Sequence, residues 1–255
     1  MSSSPSSLQR TPPPRNVSPL DPMTCDTMQR AMTLLDAEIA KSELLMSVTP
    51  IRLISVGGSL AVCLLRNRVA SYDIDCVLDP NLAAVKEYAD EFKEAVLNVA
   101  EDGGFGADWL NRQLETFISR DRRTDLFLES VDQGINVYTG SNLLIFAGRL
   151  DWALERKMRR VAHAQDRRGN KNVDIPDAAA LVRYMVNQTN QPLSFEYIRG
   201  LNYNGFDVMP SDSAMMAVAK YYAETYGSVG LAEMVWDTER NQHRYQGLDG
   251  EWIWC

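Results

Sequence analysis

Cysteine is scarce and scattered in this chain: Cys25, Cys63, Cys76 and Cys255 form no close pair and no zinc-type spacing. That pattern argues against a disulfide framework or a cysteine-built metal knot, and for a reducing, intracellular, cytoplasmic setting. Histidine is scarcer still. His163 and His243 are too few and too far apart for a zinc site. No stretch of about 18 uncharged apolar residues occurs, so no membrane span is expected, and no apolar segment near Met1 reads as a secretory signal. Positive charge is in deficit as well, with 26 Lys and Arg against 34 Asp and Glu and a formal net charge of -8. Such a balance opposes broad electrostatic attachment to nucleic acid or to an anionic membrane, and confines any polyanion to a local patch.

What is present suffices for a sizeable core plus a smaller second unit: 255 residues, 45% hydrophobic and 24% charged. Residues 1–22 hold six of the eleven prolines and read as a disordered Pro/Ser-rich tail. Met28, Met32, Leu35, Ile39 and Leu45 recur at helical spacing and predict an entry helix over Asp26 to Ser47. Ile51 to Val56 reads as a strand, Gly57-Gly58-Ser59 as a tight turn, and Leu60 to Leu65 as a short helix. Tyr72 to Leu78 alternates like a half-polar strand, and Asp79-Pro80-Asn81 caps a helix through about Val99. Short strands are expected at Glu115 to Ser119, Thr124 to Glu129 and Ile135 to Tyr138. Everything after these reads as helical: from a cap at Ser141 into Leu150 to Ala164, from Asp174 and Pro176 to Val186, and over Ser211 to Tyr226. The expected fold is therefore α+β, a mixed β-sheet flanked by helices over residues 23–140 with a helical region appended over 141–255.

The most informative stretch is Gly57-Gly58-Ser59, then thirteen intervening residues, then Asp73-Ile74-Asp75. Carboxylates two apart on a strand project to one face, where they can share a hard, oxygen-preferring Mg²⁺. A Gly-Gly-Ser turn at a helix start offers backbone N–H groups and a hydroxyl to phosphate oxygens, with no Cβ to block approach. Each half alone is ordinary, a solvated strand edge or a plain turn. In this order and spacing they form the minimum kit for positioning a nucleoside triphosphate for in-line transfer.

Ser55-Val56-Gly57-Gly58-Ser59-Leu60-Ala61 followed by Arg68-Val69-Ala70-Ser71-Tyr72-Asp73-Ile74-Asp75 resembles the signature of the polymerase-β-type nucleotidyltransferase superfamily, in particular its small branch of abortive-infection-type toxins. Asp108-Trp109-Leu110-Asn111 is similar to a Trp-Leu-Asn element of that branch, and Leu154 to Arg160 with Asp174-Ile175-Pro176-Asp177 to its lysine-bearing helix and following Asp-Leu-x-Asp helix start. The likeness spans roughly residues 51 to 186 and implies a nucleotidyltransferase-like fold and a Mg²⁺-dependent transferase. In it Gly57, Gly58, Ser59 and Arg68 hold the triphosphate, Asp73 and Asp75 bind Mg²⁺, Lys157 faces a phosphate, and Asp174 orients the site or acts as a base. The superfamily often adds a third carboxylate from a later strand. Ile135 to Tyr138 offers only Asn136, with Glu129 and Asp132 as substitutes.

Independently of that resemblance, residues 149–171 form the only concentrated basic stretch, eight Lys or Arg against three Asp or Glu. Either these cations are solvated and paired on the helix surface, or they receive a triphosphate or the phosphate backbone of an RNA such as tRNA. Cys63 and Cys76 read as core fillers, and Tyr245, Trp252 and Trp254 as anchors of the terminal segment or as base-stacking rings. Three functions remain open: nucleotide transfer from an NTP to an acceptor hydroxyl, tRNA-dependent acyl transfer on the same fold, and nucleotide or protein binding without catalysis. The acceptor and the oligomeric state are not encoded in any motif.

Overall fold

The computed structural model describes residues 21–164 and 171–255. Nearly all of the tail expected over 1–22 lies outside them, as does Asp166. The chain enters through β1 (Met23–Thr24) into α1 (Cys25–Ile39), whose Met28, Met32, Leu35 and Ile39 are buried as the helical spacing requires. The expected single entry helix ends early. Ser42 caps a new short helix, α2 (Glu43–Met46), by accepting from the Leu45 N–H at 3.2 Å.

β2 (Ile51–Val56) is followed by the glycine bend and one π-helical turn (Leu60–Leu64), then β3 (Ala70–Ser71) and β4 (Ile74–Leu78). Asp79 caps α3 (Pro80–Ala83), accepting from the Asn81 N–H at 3.0 Å, and α4 (Lys86–Gly103) runs to a left-handed Gly104. β5 (Leu110–Asn111), a 3₁₀ turn (Gln113–Phe117), α5 (Arg123–Asp132), β6 (Asn136–Thr139) and β7 (Leu143–Ala147) complete this part. The rest comprises α6 (Leu150–Ala164), α7 (Lys171–Thr189), β8 (Leu193–Ser194), α8 (Phe195–Arg199), α9 (Asp212–Tyr226), β9 (Leu231–Ala232) and a meander of β10 (Val235–Asp237), β11 (Gln242–Gln246) and β12 (Trp252–Trp254).

The molecule is α+β, with a five-stranded mixed sheet in the order β5-β4-β2-β7-β6. β2 lies antiparallel to β4 and parallel to β7. Alternation sorts its residues into two cores. Ile51 and Leu53 of β2 and Ile74, Cys76 and Leu78 of β4 join α1, α2 and α4 on one face. Ile54 and Val56 of β2 and Val77 of β4 join α5, α6, α7, α8 and α9 on the other. Asp73 and Asp75 have the parity of Val77, so both belong to the face that α6 covers.

Several local expectations are corrected. Glu115 to Ser119 and Thr124 to Glu129 are not strands but the 3₁₀ turn and α5; burial of Leu126, Phe127 and Ser130 follows helical spacing and overrides the β-prone Thr and Phe. The segment after Ser141 is not a helical lead-in. Leu143, Ile145 and Ala147 alternate into buried positions and make β7 an inner strand of the sheet. The last third is not purely helical either, since β8 to β12 lie within it. Finally, Cys25 and Cys63 are joined by a disulfide across 38 residues, Cα atoms 5.1 Å apart, tying the start of α1 to the π-helical turn. Cys63 is thus no mere core filler, whereas Cys76 is free and buried. Among the described residues no helix is long and apolar enough to cross a membrane.

Candidate functional site

The end of β2 and the start of β4 meet because Val56 pairs with Asp75 in the antiparallel ladder. Gly57 then turns the chain away with φ +82°, a conformation that side chains other than glycine rarely adopt. A Cβ on Gly57 would sit 3.0 Å from Asp75 Oδ2, and one on Gly58 would sit 1.9 Å from Ser71 Oγ. The bend is therefore pressed against the acid-bearing strand on one side and against β3 on the other.

Gly57, Gly58, Asp73 and Asp75 line one cavity of about 510 Å³, together with Arg156, Lys157 and Arg160 of α6. Arg68, Ser71 and Tyr72 form its rim from the loop between the π-helical turn and β4. Residues 153, 156, 157 and 160 follow one another on a single helical face, which explains why three cations of a run that otherwise diverges arrive together.

The two acids are held differently. Asp73 accepts a hydrogen bond from Asn111 Nδ2 at 2.9 Å, made possible because β5 pairs Asn111 with Asp75. Burial, and then the neighbouring Asp75 carboxylate, push Asp73 above the usual carboxylate range. Two carboxylates sharing a partly desolvated wall are short of a cation. A magnesium ion characteristically takes one or two protein carboxylates and completes its shell with water and phosphate oxygens, so Asp73 and Asp75 fit it as a partial ligand set. Among the described residues no group of three or more His, Cys, Asp or Glu that could hold a metal occurs.

Opposite the acids, most cations are already engaged. Lys157 is buried, with Nζ 3.0 Å from Asp174 Oδ1 and 2.7 Å from Asp177 Oδ2. Arg160 Nε lies 3.1 Å from Asp174 Oδ2. Arg68 grips Asp177 with two N–H groups, Nε at 2.8 Å from Oδ1 and Nη2 on Oδ2, and Asn67 Nδ2 donates to the same Oδ1 at 2.9 Å. Arg156 differs. It has no ion-pair partner among the described residues; burial pulls its guanidinium down to about 10, against the opposing pull of Asp75. A half-buried arginine facing a cavity without a counter-ion favours an anion there.

The sequence-derived site is thus brought together in large part. Gly57, Gly58, Asp73, Asp75, Arg68 and Lys157 all line the cavity. Ser59 does not: its side chain is buried and its Oγ lies 2.6 Å from Ser55 Oγ, so the hydroxyl points away from any phosphate. Asp174 stands behind Lys157 and Arg160 rather than in the lining. Glu129 lies in a different cavity, 3.6 Å from Arg149, and β7, the strand beside β2, carries no carboxylate. Arg156 and Arg160 fall in the basic stretch, and Asn111 and Asp177 in the resembling motifs, but none of the four was given a site role of its own from sequence. The spacing of 153, 156, 157 and 160 on α6 was a usable signal for the first two. Comparison of the chain with protein-family models, with curated proteins and with solved structures finds no match.

Proposed function

We propose that the chain is a nucleotidyltransferase of the polymerase-β-like type, transferring a nucleotide from a nucleoside triphosphate to an acceptor hydroxyl. The observation that carries this reading is the convergence of a glycine bend, paired acids and an uncommitted arginine on one cavity. Asp73 and Asp75 would hold Mg²⁺, which supplies Lewis-acid neutralisation of triphosphate charge when bound. Asn111 orients Asp73. Gly57 and Gly58 would offer the backbone of the bend to a phosphate from the cavity they line. Arg156 offers its guanidinium to phosphate oxygens, while Lys157, held by Asp174 and Asp177, keeps positive potential at the back of the cavity.

The ligand class follows from where the cations are spent. Among the described residues of the basic stretch, Arg149, Lys157, Arg159 and Arg160 are paired with carboxylates, while Arg167 and Arg168 lie outside the described residues. That distribution suits a small polyphosphate better than the extended backbone of tRNA. A second reading, nucleotide binding without transfer, is favoured by the lack of a carboxylate on β7.

Calorimetric titration of the full chain with each NTP and Mg²⁺ tests the first step, with Asp73→Asn and Asp75→Asn expected to lose metal-dependent binding. Binding that survives both substitutions would overturn the assignment. Mass measurement of candidate acceptors after incubation with the bound NTP separates transfer from binding alone.

A further inference from the structure

The C-terminal meander presents a problem of its own. None of residues 233–255 is buried, and neither hydrophobic core includes one of them, although this stretch carries three of the five tryptophans. Strand alternation gives the sheet two faces. On one, Arg240 and Arg244 lie over Trp254 and Trp252 at 4.3 and 4.4 Å, so those rings are already capped by cations. On the other, Trp236 packs edge-on against His243, its cross-strand partner, with ring centroids 4.8 Å apart, and Tyr245 pairs with Ile253. Among the described residues no cation caps that face. Trp236 is 48% exposed and Ile253 42%.

The same face runs into a second cavity of about 1090 Å³, whose lining includes His243 and Glu196. Glu196 has no ion-pair partner among the described residues. Across residues 233–255 there are five carboxylates against two arginines; Asp237 pairs with Arg244 and Glu233 with Arg199, which leaves Glu239, Asp249 and Glu251 without an ion pair among the described residues. The cavity's two arginines, Arg122 and Arg149, are already paired with Asp125 and with Glu129 and Asp151, so an uncapped aromatic face beside the unpaired Glu196 calls for a ligand that stacks apolar rings and carries positive charge. Aromatic-lined surfaces of this kind take polyproline segments, whose fixed φ makes binding cheap in entropy.

The chain supplies one such segment. Arg10-Thr11-Pro12-Pro13-Pro14-Arg15 sets three prolines between two arginines, and residues 1–20 contain no acid. Arg10 precedes Asp21, the first described residue, by eleven positions, a reach of up to about 40 Å when extended. A folded body of this length has a radius of gyration of about 18 Å. We propose that the Arg10–Arg15 segment docks in cis on the Trp236, His243, Tyr245 and Ile253 face, with an arginine meeting Glu196. Ring and proline stacking supplies the contact, and charge sets the orientation. This docking does not depend on the nucleotide reading of the other cavity.

The test uses the full chain and the indole N–H resonances of its tryptophans in ¹⁵N NMR, with Trp236 assigned through Trp236→Phe. Replacing Pro12, Pro13 and Pro14 by alanine changes no described residue and is expected to shift the Trp236 resonance. A synthetic peptide of residues 8–17, added to that triple variant, should shift it back. Peptide affinity should fall at least tenfold with Trp236→Ala or Glu196→Gln, and stay level with Trp252→Ala on the capped face, which controls for loss of the sheet itself. An identical Trp236 resonance in wild type and triple variant, unmoved by millimolar peptide, would refute the docking. A wild-type signal that depends on protein concentration would hand the site to a second copy's segment and overturn the cis arrangement.

Discussion

Lys157 reaches across the α6–α7 pair to Asp177, its Nζ 2.7 Å from Oδ2, with both side chains almost wholly out of solvent. Removing one partner of a buried, hydrogen-bonded ion pair leaves the other uncompensated, which costs about 3 to 5 kcal/mol. Here both acids keep a second cation, Arg68 on Asp177 and Arg160 on Asp174, so Lys157→Ala is expected to lower stability by less, about 1.5 to 3 kcal/mol. Urea titration followed by circular dichroism checks it. A loss below about 1 kcal/mol would show that the pair is not sequestered as described.

Arg156 should behave in the opposite way. Among the described residues it has no carboxylate partner to strand, so Arg156→Met, which keeps the stem that lies by the Trp152 ring, should leave stability within about 1 kcal/mol of wild type. Triphosphate affinity should fall roughly 10- to 100-fold, as expected for one lost charge-assisted contact of about 1.5 to 3 kcal/mol. Calorimetry on this variant, set beside its melting curve, separates a ligand contact from a structural one.

Gly58 tolerates no side chain while Ser71 stands where it does, its Cβ 2.6 Å and its Oγ 1.9 Å from the position a methyl would take. Gly58→Ala should cost about 1 to 3 kcal/mol through overpacking. Ser71→Gly removes both clashing atoms, so the double variant should recover part of that loss; equal melting points for the single and double variants would refute the clash.

Asp73 binds its proton more tightly in the folded chain than in the unfolded one, through burial and the nearby Asp75. The native state then carries more protons than the unfolded state, and stability falls as pH rises above the ordinary value of 3.8. Asp73→Asn should therefore raise the melting temperature at neutral pH, by about 2 to 4 °C for each kcal/mol relieved. The advantage should shrink toward zero as pH drops into the range where the wild-type carboxyl is protonated. Thermal melts across pH 3 to 8, taken without nucleotide or metal, measure the difference.

The Cys25–Cys63 disulfide closes a loop of 38 residues, for which chain entropy suggests about 3 to 4 kcal/mol. Reductant or Cys25→Ser should lower the urea midpoint accordingly, and reductant should then have no further effect on the variant. Peptide mapping without reduction identifies the bond.

Much of the glycine-and-carboxylate side of the cavity was legible because it is local. Glycine at 57 and 58 announces a bend, and Asp73 with Asp75 announces a shared strand face. α5 was misread because Thr124 to Glu129 is too short a window to separate a β-prone run from one turn of buried helix. β7 was missed because Leu143 to Ala147 is apolar throughout in sequence, and its alternation emerges only when β2 and β6 flank it.

The order of elements from α1 to β4, the glycine bend and the pairing of acids were determined by the sequence itself, since turn chemistry and side-chain period act between near neighbours. Tertiary structure decided what each charge does. Ser59 is turned inward, Lys157 is bound to Asp174 and Asp177, Arg156 has no ion pair among the described residues, and Cys25 finds Cys63. The physical reason is distance along the chain. Each of these partnerships, apart from the local Ser59 contact, depends on segments many residues apart being packed against one sheet, and burial fixes which charges meet.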